Sequence, residues 1–199
     1  MNTKKSLLLS VKPKYVADIL KGKMTIEIRK TMPKCDLPID VYIYCTKDKE
    51  FCFHDIFADK GGYKPLYYLG NREHDSWSEK LNGKVVAKFT LRKVEELEAY
   101  YDELYQEYVF DNENICEKSC LTEEELGNYL KIYNNNDYQK VGYAWHIEDL
   151  VIFDKPKELS EFYHYVKYNK EMARLNKQDW DFCHLTKAPQ SYCFIEVNE

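Results

Sequence analysis

Residues 8–30 read LLSVKPKYVADILKGKMTIEIRK, and the way this stretch divides decides the fold. "SLLLSV", residues 6–11, is a short apolar run of strand length. Pro13 follows, where its missing N–H is harmless in the first turn of a helix. Val16, Ile19 and Leu20 recur at helical spacing, and Gly22 ends the helix. Beyond Gly22 the pattern alternates. A strand here puts Lys23, Thr25, Glu27 and Arg29 on one face and Met24, Ile26 and Ile28 on the other. Three readings stand for a carboxylate beside a guanidinium on an ordered strand: a surface ion pair, a ligand pocket or a catalytic site.

The rest of the chain extends this strand–helix–strand start. "IDVYIYCT" at 39–46 is the clearest strand, rich in β-branched and aromatic residues. Residues 47–83 read as loops, with a short strand at "PLYYL". "GKVVAKFTLRKV" at 83–94 returns to strand character. Val94, Leu97, Tyr101, Leu104, Tyr105 and Tyr108 follow helical spacing. Thr122 with Glu125 is a capping-box signature before another short helix ending near Tyr133. "GYAWHI" and "DLVIFD" read as strands, with Pro156 marking an exit. A helix is expected within 157–180, and "SYCFIEV" at 191–197 is the last strand. The expected class is α+β: a small mixed β-barrel with peripheral helices, in one domain over 1–199. It carries a loop insertion at about 47–82 and an acidic helical insertion at about 95–140.

Charge is distributed unevenly. The formal net charge of −5 argues against a nonspecific nucleic-acid binder. Yet residues 1–34 carry nine Lys/Arg against two Asp/Glu, while residues 95–125 carry twelve acidic residues and only Lys118. A positive face for a phosphate backbone is therefore compatible with the acidic total. The acidic segment is either a solvated surface or a contact for a protein partner. No apolar run reaches membrane-span length, and no cleavable leader is evident, so a cytoplasmic location without membrane attachment is expected. The seven cysteines form neither a dense disulfide framework nor a familiar zinc spacing, so neither a metal nor a cofactor is expected.

The start of the chain resembles the ASCH family, a branch of the PUA-like superfamily. The resemblance rests on the Lys12-Pro13 pair, the helix to Leu20, and Gly22-Lys23 followed by Glu27 and Arg29. "IDVYIYCT", "GKVVAKFTL", "YAWHIEDLVIFDKPKEL" (143–159) and "KAPQSYCFIE" (187–196) continue it in order; 47–82 and 95–140 match poorly. The resemblance implies a PUA-like barrel with a cleft beside the first helix, binding RNA or a modified nucleobase or nucleotide. Some members hydrolyse an acetylated cytidine, others look like ribonucleases, and many are uncharacterised or of phage type. The amidohydrolases' catalytic lysine falls on Met24 here and their catalytic threonine on Glu27. A thioether cannot act as an amine nucleophile or base. Lys23 has the opposite strand parity to that position and cannot simply substitute.

The candidate binding residues are Lys12, Lys14, Lys23, Thr25, Glu27, Arg29, Trp145, Gln190 and Ser191. Arg29 suits bidentate contact with a phosphate or base edge, and Glu27 suits acceptance from an exocyclic amino group. Lys12 and Lys14 add charge near a helix N-terminus. Trp145 suits stacking on a base, although most buried tryptophans are core. Gln190 and Ser191 follow Pro189 at a turn, where they either read a base edge or cap the turn themselves. Whether the protein is an enzyme stays open. If it is, Glu27 is the general base and Lys23 its basic partner, acting on RNA or a modified nucleoside. The third alternative is a phage-type regulatory or protein-interaction module contacted through 95–125.

Overall fold

Three consecutive leucines explain where the first strand sits. In the computed structural model, Leu7, Leu8 and Leu9 are all 0% exposed. A strand covered on both faces needs no alternation, so the continuous apolar run is the signature of an interior strand. The structure describes residues 3–48, 52–55, 67–70, 79–132, 139–165 and 184–198.

In chain order the elements begin with β1 (Thr3–Val11), α1 (Pro13–Leu20), β2 (Ile26–Arg29) and β3 (Ile39–Cys45). Next come β4 (Cys52–Asp55), β5 (Tyr67–Gly70), β6 (Glu79–Lys80), β7 (Val85–Leu91), β8 (Val94–Asp102) and β9 (Glu107–Phe110). Then follow α2 (Ile115–Ser119), α3 (Glu123–Leu130), β10 (Gln139–His146) and β11 (Glu148–Lys157). A 3-10 turn at Leu159–Glu161, β12 (Tyr163–His164) and β13 (Tyr192–Asn198) complete the described elements. The class is α+β, mostly strand with short helices, as expected.

The chain divides into two compact units. The first comprises Met1–Ala17, Ile39–Phe89 and Leu150–Glu199. Its main sheet has the order β11-β7-β3-β1-β13-β12. β1 runs parallel to β3 and antiparallel to β13, so the sheet is mixed. Leu8, Tyr42, Tyr44, Val85, Phe162, Leu185 and Ile195 form one buried cluster in it. β5, β4 and β6 form a separate three-stranded sheet, so the stretch expected as loops carries strands of its own. The strand expected at "PLYYL" is present as β5. Pro156 does not end β11, which runs to Lys157. β11 is an edge strand, the place in a sheet where a proline is tolerated. Of the range 157–180, within which a helix is expected, the described part holds the 3-10 turn and β12. Residues 166–183 lie outside the described residues.

The second unit comprises Asp18–Pro38 and Thr90–Asp149. It holds a sheet of order β2-β10-β8-β9 and the helices α2 and α3. The stretch from Val94 to Tyr108, expected as a helix, is a β-hairpin instead. The winning signal is period two: Leu97 and Ala99 are fully buried, while Glu96 and Glu98 face solvent. Leu104 and Tyr105, which completed the helical spacing, sit 81% and 71% exposed between the two strands. The Asp102 carboxylate caps that turn by accepting from the Leu104 and Tyr105 amides at 2.9 and 3.2 Å. Among the described residues, the helical part of the acidic insertion is α2 and α3. Thr122 caps α3 as expected: its Oγ1 accepts from Glu125 N at 3.1 Å, and Glu125 Oε2 accepts from Thr122 N at 2.9 Å.

Candidate functional site

β2 is positioned from both ends. α1 closes at Gly22, whose φ of 70° lies in the left-handed region and favours glycine. Lys23 N and Met24 N donate to Asp18 O at 2.9 and 3.2 Å, which tightens the exit from α1. Thr25 N donates to Lys118 O and Thr25 O accepts from Ile147 N, each at 2.9 Å. The strand therefore starts at Ile26, later than the alternation suggests. Lys23 and Thr25 precede it, both exposed.

The two faces of β2 differ in chemistry. Ile26 and Ile28 pack with Leu97, Ala99, Ala144 and the helix residues Ile115, Leu126 and Leu130. Glu27 and Arg29 point the other way, yet they are buried too, with all four strand residues covered. Arg29 Nη2 lies 2.8 Å from Glu27 Oε1, and the side chains are only 10% and 8% exposed. The surface-pair reading thus gives way to a buried pair. Such a pair must offset the desolvation of two charges.

β10 supplies the neighbours. It pairs antiparallel with β2, setting Trp145 opposite Glu27 and Tyr143 opposite Arg29. Directly opposed residues share a face, so the two rings flank the ion pair on one surface. Trp145 is fully buried. Gly142, at a register irregularity in β10, allows close approach. A Cβ there would come within 2.7 Å of Leu130 Cδ2 and 3.0 Å of the Arg29 carbonyl oxygen. Nothing in the sequence marks Gly142, whereas the alternation in "GYAWH" puts Tyr143 on the face of Trp145. His146 belongs to the opposite face, with Ile26 as its cross-strand partner and Nε2 3.1 Å from Glu95 Oε2.

Electrostatics single out Glu27. Burial pushes its carboxyl above the usual carboxylate range, and the Arg29 charge and hydrogen bond only partly pull it back. Its Oε2 is buried and, among the described residues, has no hydrogen-bond partner. A carboxylate oxygen without a donor in a desolvated place costs free energy.

The first unit holds the other expected residues. Lys12 lies between β1 and α1, and Lys14 is in the first turn of α1; both are exposed. The Lys14 ammonium lies 5.5 Å from the Tyr15 ring centroid. Ser10 N donates to Ser191 O at 2.9 Å and Ser10 Oγ donates to Pro189 O at 2.7 Å. These bonds tie the end of β1 to the turn before β13, so Lys12 shares one sheet end with exposed Gln190 and half-buried Ser191. The sequence places these four residues almost 180 positions apart at most, and strand pairing gathers them. Among the described residues no cluster of His, Cys, Asp and Glu could hold a metal. Burial raises the Cys45 thiol to about 12 and the Cys193 thiol to about 11, which keeps both protonated and poorly nucleophilic. No helix of the described residues is long and apolar enough to cross a membrane.

No family model and no curated protein matches the sequence. Among solved structures, the chain is similar to ASCH from Zymomonas mobilis, with a TM-score of 0.46 and 14% identity over 94% of this chain and 85% of that one. Two mutants of the same Zymomonas mobilis protein compare in the same way. A tyrosine-to-phenylalanine mutant has a TM-score of 0.47 and 14% identity, over 95% of this chain and 88% of that one. A serine-to-alanine mutant has the same TM-score and identity, over 94% and 85%.

Proposed function

We propose that the protein binds a nucleobase-bearing ligand, either RNA or a free modified nucleoside or nucleotide, with Glu27 as its reading group. One observation carries this reading: the buried Oε2 of Glu27, held in place through its other oxygen by Arg29 and lacking a donor among the described residues. An exocyclic amino group is a donor of the right kind. Trp145 and Tyr143 give the carboxylate a rigid wall, and exposed Lys23 and Thr25 extend the same strand direction toward sugar or phosphate. Lys12, Lys14, Gln190 and Ser191 offer a second polar group suited to a nucleic-acid backbone.

Binding is tested by calorimetric titration with cytidine, adenosine, uridine and a short single-stranded RNA in low salt. Amino-bearing nucleosides should bind at least tenfold more tightly than uridine, and Glu27→Gln should abolish that preference while the circular dichroism spectrum is unchanged. Equal affinities for cytidine and uridine, unaltered by Glu27→Gln, would overturn the reading. For the RNA, log affinity should fall linearly with log salt, with a shallower slope in Lys12→Ala/Lys14→Ala.

A second reading, a hydrolase acting on RNA or a modified nucleoside, draws on the upward shift of Glu27, which suits a general base. Lys23 lies outside β2 and exposed, so Glu27 works there without an amine beside it on the strand. Turnover lost in Glu27→Gln with nucleoside affinity kept within threefold would favour this alternative.

A further inference from the structure

A cleft of about 300 Å³ opens within the second unit, between β9, the start of α2 and the first turn of α3. Its walls include Tyr108, Phe110, Ile115 and Cys116, with Glu107, Glu123, Asn112 and Asn114 as its polar residues. Three facts define what fits. The polar side chains that line it include two carboxylates and the amide of Asn112. The Asn112 Oδ1 is buried and, among the described residues, accepts no hydrogen bond. Glu107 and Glu123 are exposed, and among the described residues neither takes part in an ion pair. The surrounding segment 95–125 is strongly acidic, so the field at the cleft is negative.

Acceptors, negative charge and aromatic faces together recognise a cation. The walls decide which kind. A divalent metal needs more oxygen ligands than this, and no group of three metal-ligating side chains exists among the described residues. Aromatic and aliphatic walls instead favour a weakly hydrated organic cation, whose head meets the carboxylates and whose stem lies against the rings. The volume is at the small end of ligand pockets, enough for one short chain. The wall is fixed: an added Cβ at Gly127 would lie 2.5 Å from the Tyr108 ring, and the Tyr101 ring centroid is 4.9 Å from that of Tyr108.

We infer that this cleft is a second site, which binds an alkylammonium or guanidinium group on a short alkyl stem. The chemistry is shared by a free amine and by a lysine or arginine side chain of a protein partner. The site is independent of Glu27 and stands whether or not a nucleobase binds there.

The test titrates the full chain, in low salt, with 1,4-diaminobutane, with N-acetyl-arginine amide and with calcium, followed by amide chemical shifts. Either organic probe should saturate the shifts of Val109, Asn112 and Cys116, and Glu107→Gln/Glu123→Gln should weaken it at least tenfold. Both glutamates are exposed, so the double variant should melt as the parent does. Preference for the free diamine identifies a small-molecule ligand, and preference for the capped arginine identifies a protein side chain; each supports the site. Gly127→Ala, which dislodges the Tyr108 ring, should weaken the probes without changing the cleft's charge. Three results would overturn the inference: no saturable shift at millimolar probe, calcium displacing the probes at equal concentration, or full affinity in the double glutamine variant.

Discussion

β2 and β8 flank the same strand, β10, and carry charge in opposite ways. On β2, Glu27 and Arg29 are buried and held to each other at 2.8 Å. On β8, Glu95 and Glu96 sit at the surface and pair with Lys93 and Lys140. Solvent screens the second kind of pair, so it specifies little. The first kind specifies a great deal, because each partner is costly without the other. Charge that is cheap to place says little about purpose, whereas buried charge with an oxygen left over points to a ligand. The large acidic excess of 95–125 therefore matters less than one carboxylate on a four-residue strand.

The contrast breaks most directly at Arg29. Arg29→Ala leaves the Glu27 carboxylate buried without its cation and should cost about 3–5 kcal/mol in denaturant unfolding. The double variant Glu27→Gln/Arg29→Met should recover most of that loss. If Arg29→Ala costs no more than an exposed substitution, the pair is not buried in solution.

Titration sharpens the same point. Because burial raises the folded carboxyl above its ordinary 4.5, Glu27 does no harm to the fold below that pH. As pH rises from about 4.5 through the raised folded value, the unfolded chain ionises first and the native state loses ground. The stability of the parent relative to Glu27→Gln should therefore fall across that window. A difference that stays flat with pH would mean that Glu27 is not desolvated.

Gly142→Ala comes next in size. The new Cβ meets the Arg29 carbonyl and Leu130, so β10 must shift away from β2, at a cost of about 1–3 kcal/mol. A shift there also moves Tyr143 and Trp145 against the pair, and nucleoside affinity should fall along with stability. The smallest effect is expected on the other flank: Lys140→Ala should leave the unfolding midpoint unchanged at moderate salt, since its partner Glu96 is a surface group. A clear loss that persists in high salt would erase the difference between the two strands.

Much of the frame was legible in residue order. The strand, helix and turn over 6–22 followed from an apolar run, one proline and one glycine, because each acts locally. The capping box at Thr122 and Glu125 was equally local and is formed. The hairpin at 94–110 carries a misleading signal, because Leu104 and Tyr105 extend a helical spacing that the chain spends on an exposed turn. Period two was also present, in Leu97 and Ala99, and only burial against α3 decided between the two patterns.

By itself the sequence determined the parity of β2, and so that Glu27 and Arg29 share a face apart from Ile26 and Ile28. Strand geometry makes that unavoidable. Tertiary structure alone decided that this polar face is covered, that Trp145 and Tyr143 stand opposite the pair, and that one oxygen of Glu27 is left over. Alternation assigns a side of a strand but carries no information on what covers it. The covering depends on contacts between residues more than 100 positions apart.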